Sequence, residues 1–84
     1  MSKKAVVYTG KLCSWCDRVK QLLKDEGYEI EERPVAGGKW IKEFKEEFDK
    51  DIRTVPQVVI GGHFVGGFEE TEFYIKGPHS INRV

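Results

Sequence analysis

The sequence predicts an α/β fold: one mixed four-stranded sheet with three helices, in the order β-α-β-α-β-β-α. Three observations carry that reading. Strand-like and helix-like apolar patterns alternate between Ala5 and Phe48, as strand–helix–strand units require. Two short apolar runs flank Gly61-Gly62, the mark of a tight hairpin. Finally, 84 residues leave room for one hydrophobic core, which every element must share.

Each element has its own justification. Ala5-Val6-Val7-Tyr8-Thr9 reads as a buried strand. Cys16, Val19 and Leu23 then form the core face of an amphipathic helix that runs to about Glu26 and is stopped by Gly27. Tyr28-Glu29-Ile30-Glu31 alternates apolar and charged residues, a half-buried strand that ends near Pro34. After the Gly37-Gly38 loop, Trp40, Ile41, Phe44 and Phe48 recur at helical spacing opposite Lys39, Lys42, Glu43, Glu46 and Glu47. Lys42–Glu46 and Glu46–Lys50 are expected as opposite-charge pairs one turn apart on this solvated face. Gln57-Val58-Val59-Ile60 and His63-Phe64-Val65 are the hairpin strands, closed by Gly66-Gly67. Phe68-Glu69-Glu70-Thr71 opens a short helix with acids in its first turn, and Gly77-Pro78 stops it. The right-handed crossover rule makes the first two strands parallel, and the hairpin adds antiparallel ones. Residues 1–84 are expected to form a single domain with its core in about 4–76 and a patternless tail at 78–84.

Composition excludes several classes of partner. Lys plus Arg equals Asp plus Glu at 14 each, so no net field favours nucleic acid or anionic lipid. The longest apolar run, Ala5 to Tyr8, falls far short of the roughly 20 residues of a membrane span. No basic-plus-apolar leader opens the chain. The expectation is a soluble, cytoplasmic monomer.

The informative residues are the two cysteines, Cys13 and Cys16. A structural disulfide stabilises by closing a long loop in the unfolded chain, and a C-x-x-C bridge closes almost the shortest loop available. Structural zinc wants four ligands in close pairs, whereas His63 and His79 fit no H-x(3–5)-H spacing. A passive pair and a zinc site remain the bland alternatives, and redox chemistry is the favoured reading. Cys13 falls at the strand-to-helix turn, where unpaired backbone N–H groups and the helix dipole favour negative charge. The thiolate that attacks a disulfide gains from that placement. Lys11 and Arg18 add positive charge nearby, against Asp17. Cys16, one turn on, points inward. The division of labour expected is Cys13 as nucleophile and Cys16 as resolving thiol.

Three motifs in order, Cys13-Ser14-Trp15-Cys16, Thr54-Val55-Pro56 and Gly66-Gly67-Phe68-Glu69-Glu70, make the chain resemble a glutaredoxin from Ala5 to Lys76. The resemblance implies a thioredoxin-like fold and a glutathione-dependent thiol–disulfide oxidoreductase. Its substrates would be protein disulfides and glutathione mixed disulfides, with ribonucleotide reductase a frequent client in the family. The resemblance also implies a cis Val55–Pro56 bond, which exposes the backbone of Val55, beside Thr54, to an extended thiol peptide that pairs like an added strand. In the family that peptide is glutathione. By the same resemblance, the backbone N–H groups of Phe68 and Glu69, after Gly67, would take the γ-glutamyl carboxylate. Glu69 or Glu70, where the family commonly carries Asp, would take its amino group. Trp15 would form an aromatic wall over the glutathione sulfur.

Departures from the family pattern are equally specific. The family's usual lysine, three residues before the first cysteine, is replaced by Gly10, which leaves Lys11 as the candidate for the glycine carboxylate. Lys42 is the candidate for a second polar contact. Where the family commonly reads Cys-Pro-Tyr-Cys, Ser14 and Trp15 stand in the middle, which frees a backbone N–H and loosens the turn. Some glutaredoxins with Ser at this position hold a [2Fe–2S] cluster between two protomers through the first cysteine and glutathione. A cluster carrier with Cys13 as ligand is therefore one alternative, and a redoxin fed by thioredoxin reductase is another.

Overall fold

β1 (Lys3–Thr9) lies inside the sheet, flanked on one side by β2 (Tyr28–Pro34) and on the other by β3 (Gln57–Ile60), with β4 (His63–Gly66) at the far edge. The structure is a computed structural model that describes residues 3–77, so the expected tail at 78–84 and His79 lie outside the described residues. β1 and β2 are parallel in the register Lys3↔Tyr28 to Thr9↔Pro34. β3 runs antiparallel to β1, Ala5↔Ile60 to Tyr8↔Gln57, and pairs antiparallel with β4. The helices are α1 (Ser14–Asp25), α2 (Lys39–Phe48) and α3 (Phe68–Lys76). This is the architecture that the apolar periodicity predicts. β1 starts two residues earlier than Ala5, because Lys3 and Lys4 still pair with β2 while keeping their side chains exposed.

Side chains alternate across β1, and each face takes a different cover. Ala5 and Val7, with Val58 and Ile60, pack against Val19 and Leu23 of α1 and against Phe68 and Ile75 of α3. Val6, Tyr8, Val59 and Phe64 face Trp40, Phe44 and Phe48 of α2. Phe44 is the hub of the second layer, with its ring centroid 5.0 Å from Tyr8 and 5.4 Å from Phe64, both edge-on. Edge-to-face pairs of this kind add about 0.5–1.5 kcal/mol beyond their burial. Tyr8 is buried, and its hydroxyl accepts a 2.9 Å hydrogen bond from Arg33 Nη1. Arg33 also lies over the Trp40 ring at 4.5 Å, so one guanidinium joins β1, β2 and α2.

The helix-face pairs expected from spacing are replaced by other contacts. Among the described residues neither Lys42–Glu46 nor Glu46–Lys50 forms an ion pair; Lys45 reaches Asp51 at 3.4 Å instead. α2 ends at Phe48, which removes Lys50 from the helical register and sends its amine toward the Phe64 ring, 5.8 Å from the centroid. The charges with structural consequence lie on β2. Glu31 takes a hydrogen bond from Arg33 at 2.7 Å and an ion pair from Lys4 at 3.0 Å, which together hold its carboxyl below the usual range. Lys20 at 3.2 Å and the Thr9 hydroxyl at 3.0 Å do the same for Glu32, tying α1 to the sheet.

Two predictions follow from this packing. A carboxylate with a depressed folded pKa contributes stability above its unfolded value, here 4.5, and loses that contribution as pH falls through the folded value. The Glu31→Gln, Glu32→Gln double variant is therefore expected to lose less stability than the parent between roughly pH 6 and pH 3. Urea midpoints at several pH values measure this, and parallel losses would remove both groups from the acid response. The second prediction concerns Thr71, which is fully buried and whose Oγ1 has no hydrogen-bond partner among the described residues. Thr71→Val exchanges an unpaired hydroxyl for a methyl of the same shape and is expected to stabilise the fold by about 1 kcal/mol. A drop in the urea midpoint would contradict that.

Candidate active site

The connection from β1 into α1 sets the position of the first cysteine. Leu12 adopts a left-handed conformation, φ 51°, rare for a residue with a side chain, and turns the chain sharply before the helix. Cys13 follows in extended conformation, φ −109°, as the N-cap of α1. N-caps are normally Ser, Thr, Asp or Asn, whose side-chain oxygen satisfies a first-turn N–H. Here sulfur takes that part: the backbone N–H of Cys16 donates to Cys13 Sγ at 3.1 Å. A negative sulfur at this point would gain from that donor and from the helix dipole together.

The two cysteines are joined in a disulfide, with their Cα atoms 5.2 Å apart. Cys13 is half-buried with its sulfur beside the Val55 carbonyl, whereas Cys16 is 2% exposed and sits on the same buried helix face as Val19 and Leu23. Cys13 is thus the more exposed of the pair.

The loop before β3 brings the second motif against the sulfur. The Val55–Pro56 peptide is cis, and the carbonyl oxygen of Val55 lies 3.7 Å from Cys13 Sγ. Gln57 Nε2 pins the loop from below, donating to the Thr54 carbonyl at 2.9 Å and to its hydroxyl at 3.1 Å. The backbone N–H of Val55 has no partner among the described residues, so it stands ready to pair with an extended chain.

The third motif closes the cleft. Gly66 turns the chain out of β4 with φ 127°, and a Cβ there would lie 3.0 Å from Cβ and Cγ of Glu70. Glycine is what lets α3 start so close to the strand. Glu70 reaches back to accept the N–H of Gly67 at 2.9 Å. The next N–H groups, of Phe68 and Glu69, have no helical partner and face outward as a pair of donors. Glu69 has no ion pair or hydrogen bond among the described residues, so of the two acids it is the one with an uncommitted carboxylate.

Trp15, Thr54, Val55, Pro56, Gly67, Phe68, Glu69 and Glu70 line one cleft of about 250 Å³. Its aromatic wall is double: Trp15 and Phe68 lie 5.3 Å apart, tilted by 53°. The Arg18 guanidinium sits 4.7 Å over Trp15 on the other side. Sequence reasoning singled out Trp15 but not its support. The signal was present, since residues three apart on a helix are neighbours. The Phe68 contact, by contrast, needs the fold to bring α3 to α1. Lys11 and Lys42 are not in this cleft: Lys11 is exposed in the turn before Cys13, and Lys42 lines a groove on the outer face of α2 with Lys39, Glu43, Glu46 and Glu47.

The sequence profile of the Glutaredoxin family matches residues 5–65, from the third residue of β1 to the second strand of the hairpin. The chain belongs to the glutaredoxin family. Glutaredoxin 3 of Escherichia coli is 34% identical over 76% of this chain and 76% of its own length. A monothiol glutaredoxin of Caenorhabditis elegans is 35% identical over 86% of this chain, which spans about half (51%) of that relative. Among solved structures, a buckwheat glutaredoxin–glutathione complex superposes with a TM-score of 0.67 and 29% identity over 89% of this chain and 71% of that one. The fold of this glutaredoxin is accordingly the thioredoxin-like one.

Gly10 marks where this glutaredoxin departs most from the family pattern. A Cβ built on Gly10 would lie 2.8 Å from Cγ2 of Val55, so a lysine at this position would push on the residue beside the cysteine. Val55 is β-branched and half-buried and has little room to give way. Gly10→Ala is expected to cost roughly 1–3 kcal/mol as an overpacked contact and to slow thiol exchange by displacing Val55 from Cys13. Unfolding midpoints together with thiol-exchange rates test this, and unchanged values in both would show that the loop yields freely.

Proposed function

We propose that this chain is a dithiol glutaredoxin that reduces protein disulfides and glutathione mixed disulfides at the expense of glutathione. The observation that carries the reading is the accessible sulfur of Cys13, capped by the Cys16 N–H and set 3.7 Å from the Val55 carbonyl in a peptide-sized cleft. On a glutathionylated protein, the Cys13 thiolate attacks the glutathione sulfur. A Cys13–glutathione disulfide forms, the protein–sulfur bond breaks, and the released protein thiolate takes a proton from water. A second glutathione thiolate then attacks the adduct, giving glutathione disulfide and restoring Cys13. On a protein disulfide, Cys13 attacks one sulfur and the resulting mixed disulfide is resolved by Cys16. The protein leaves with both thiols, and the Cys13–Cys16 disulfide, the state observed, remains. Two glutathione molecules reduce that disulfide and leave as glutathione disulfide.

Glutathione fits the cleft by its chemistry. Its backbone has a partner in the free N–H and the carbonyl of Val55, and its γ-glutamyl carboxylate has one in the N–H pair of Phe68 and Glu69. Its ammonium group finds the uncommitted carboxylate of Glu69. The buckwheat relative, solved as a glutathione complex, supports this assignment. A reducing, cytoplasmic setting suits a cysteine pair that closes too short a loop to serve as a staple. Disulfide-bearing proteins, ribonucleotide reductase among them, are the client class.

The roles of the two sulfurs predict a split. Cys13→Ser is expected to abolish every thiol-exchange activity, by roughly 1000-fold or more as for loss of a nucleophile. Cys16→Ser is expected to keep turnover of glutathione mixed disulfides and lose reduction of protein disulfides. The assay is reduction of a glutathione–hydroxyethyl mixed disulfide coupled to glutathione reductase, beside insulin reduction, on protein purified without air. Equal losses in both variants would overturn the assignment of roles. A brown protein, dimeric while coloured, would move the chain to the cluster-carrier alternative. Insulin reduction driven by thioredoxin reductase alone would move it to the redoxin alternative.

A further inference from the structure

The exposed large apolar side chains of this protein are not scattered. Among the described residues they are Leu12, Trp15, Phe73 and Tyr74, of which Trp15 lines the cleft and Phe73 and Tyr74 line the groove next to it. Trp15 stacks on Phe68 at the mouth of the cleft. Phe73 and Tyr74, 47% and 51% exposed, lie one to two helical turns farther along α3. They line an open groove of about 670 Å³ with Val65 and Phe64 of the edge strand β4. Glu69 and Glu70 line both this groove and the cleft beside Cys13, so the two adjoin at the first turn of α3.

Resting on the function proposed above, we infer that this groove is a docking track for the polypeptide of a disulfide-bearing substrate, recognising a basic residue followed by an apolar one. The occupant follows from that adjacency and from charge. A chain whose cysteine is attacked by Cys13 and whose backbone pairs with Val55 passes over the first turn of α3. There it meets Glu69 and Glu70, two carboxylates with no ion-pair partner among the described residues. A lysine or arginine fits that point. Beyond it the surface turns apolar, with Phe73 and Tyr74 unpaired with any other described aromatic ring. From Phe68 to Phe73 or Tyr74 the helix advances roughly 8–9 Å, which an extended chain covers in about three residues. The recognised segment therefore carries its basic residue roughly two positions, and its apolar residue roughly five positions, from the cysteine. Glutathione is too short to extend past the first turn of α3. The part of the track beyond Glu69 and Glu70, at Phe73 and Tyr74, thus serves the protein-disulfide branch of the reaction and leaves the glutathione branch untouched.

The test uses two peptides, each a symmetric disulfide of a single-cysteine chain. One carries Lys two positions and Leu five positions from the cysteine on both sides; the other carries Ser at all those places. The full-length protein is expected to reduce the Lys/Leu peptide with a kcat/KM roughly tenfold higher, as for a substrate gaining an apolar anchor. In the Phe73→Ala, Tyr74→Ala double variant that preference is expected to vanish while turnover of the glutathione–hydroxyethyl mixed disulfide stays at the parent value. Equal rates on the two peptides with the parent protein would overturn the proposal. So would a preference that survives the double variant, or a variant that loses the small substrate as well. A concentration-dependent dimer in sedimentation that the double variant abolishes, with no peptide preference in the parent, would assign the face to a second copy and also overturn it. Failure of the underlying function would look different. No disulfide would then be turned over, and tryptophan fluorescence titrations with Cys→Ser versions of the two peptides would still decide the groove, tight saturation by the Lys/Leu peptide alone supporting it and equal binding overturning it.

Discussion

The backbone N–H of Cys16 pointing at the sulfur of Cys13 is the contact on which the rest of the site depends. A helix cap made by sulfur fixes that atom relative to the axis of α1, so the reactive group is positioned by the same hydrogen bond that starts the helix. The helix is held in turn by Val19 and Leu23, packed on Ala5, Val7 and Val58 of the sheet. A displacement of the sulfur would disturb the helix start, and a loosened core would release the sulfur. This coupling explains why the buried and the accessible cysteine lie one turn apart, since the i+3 residue both donates the N–H and faces the core.

The other two walls of the cleft are built from backbone that glycine and proline alone make available. Gly10 leaves room for Val55, whose carbonyl then stands beside the sulfur. Gly66 and Gly67 let the first turn of α3 start close to β4, with the Glu70 side chain and the Pro56 carbonyl near where a Cβ would stand. Of the eight residues that line the cleft only Glu69 and Glu70 carry charge, and the others come from the loop before β3 and from the starts of α1 and α3. Both acids line the cleft, but Glu70 also caps its own helix through the Gly67 N–H, whereas Glu69 makes no hydrogen bond or ion pair among the described residues.

Charge in this molecule divides into structural and surface groups. Arg33, Glu31, Glu32 and Lys20 tie β2 to its neighbours, and burial of the Arg33 guanidinium is outweighed by its bonds to Glu31 and Tyr8. The charges of α2 face solvent and approach no described ligand cleft except their own shallow groove. Lys42 belongs to that set.

The sequence by itself determined the element order, the parallel and antiparallel pairing, the cysteine that caps the helix and the cysteine that faces inward. Each of these follows from local periodicity or from the stereochemistry of neighbours along the chain, which pattern and spacing encode directly. Tertiary structure decided what depends on elements far apart in sequence. It placed Val55 against Gly10, Phe68 against Trp15 and Arg33 between Tyr8 and Trp40, and it set Lys42 in a groove of α2 with Lys39, Glu43, Glu46 and Glu47. The physical reason is that such contacts are set by the packing of whole layers, where an offset of one residue in a loop moves a side chain by several ångströms while the apolar pattern along the chain stays the same.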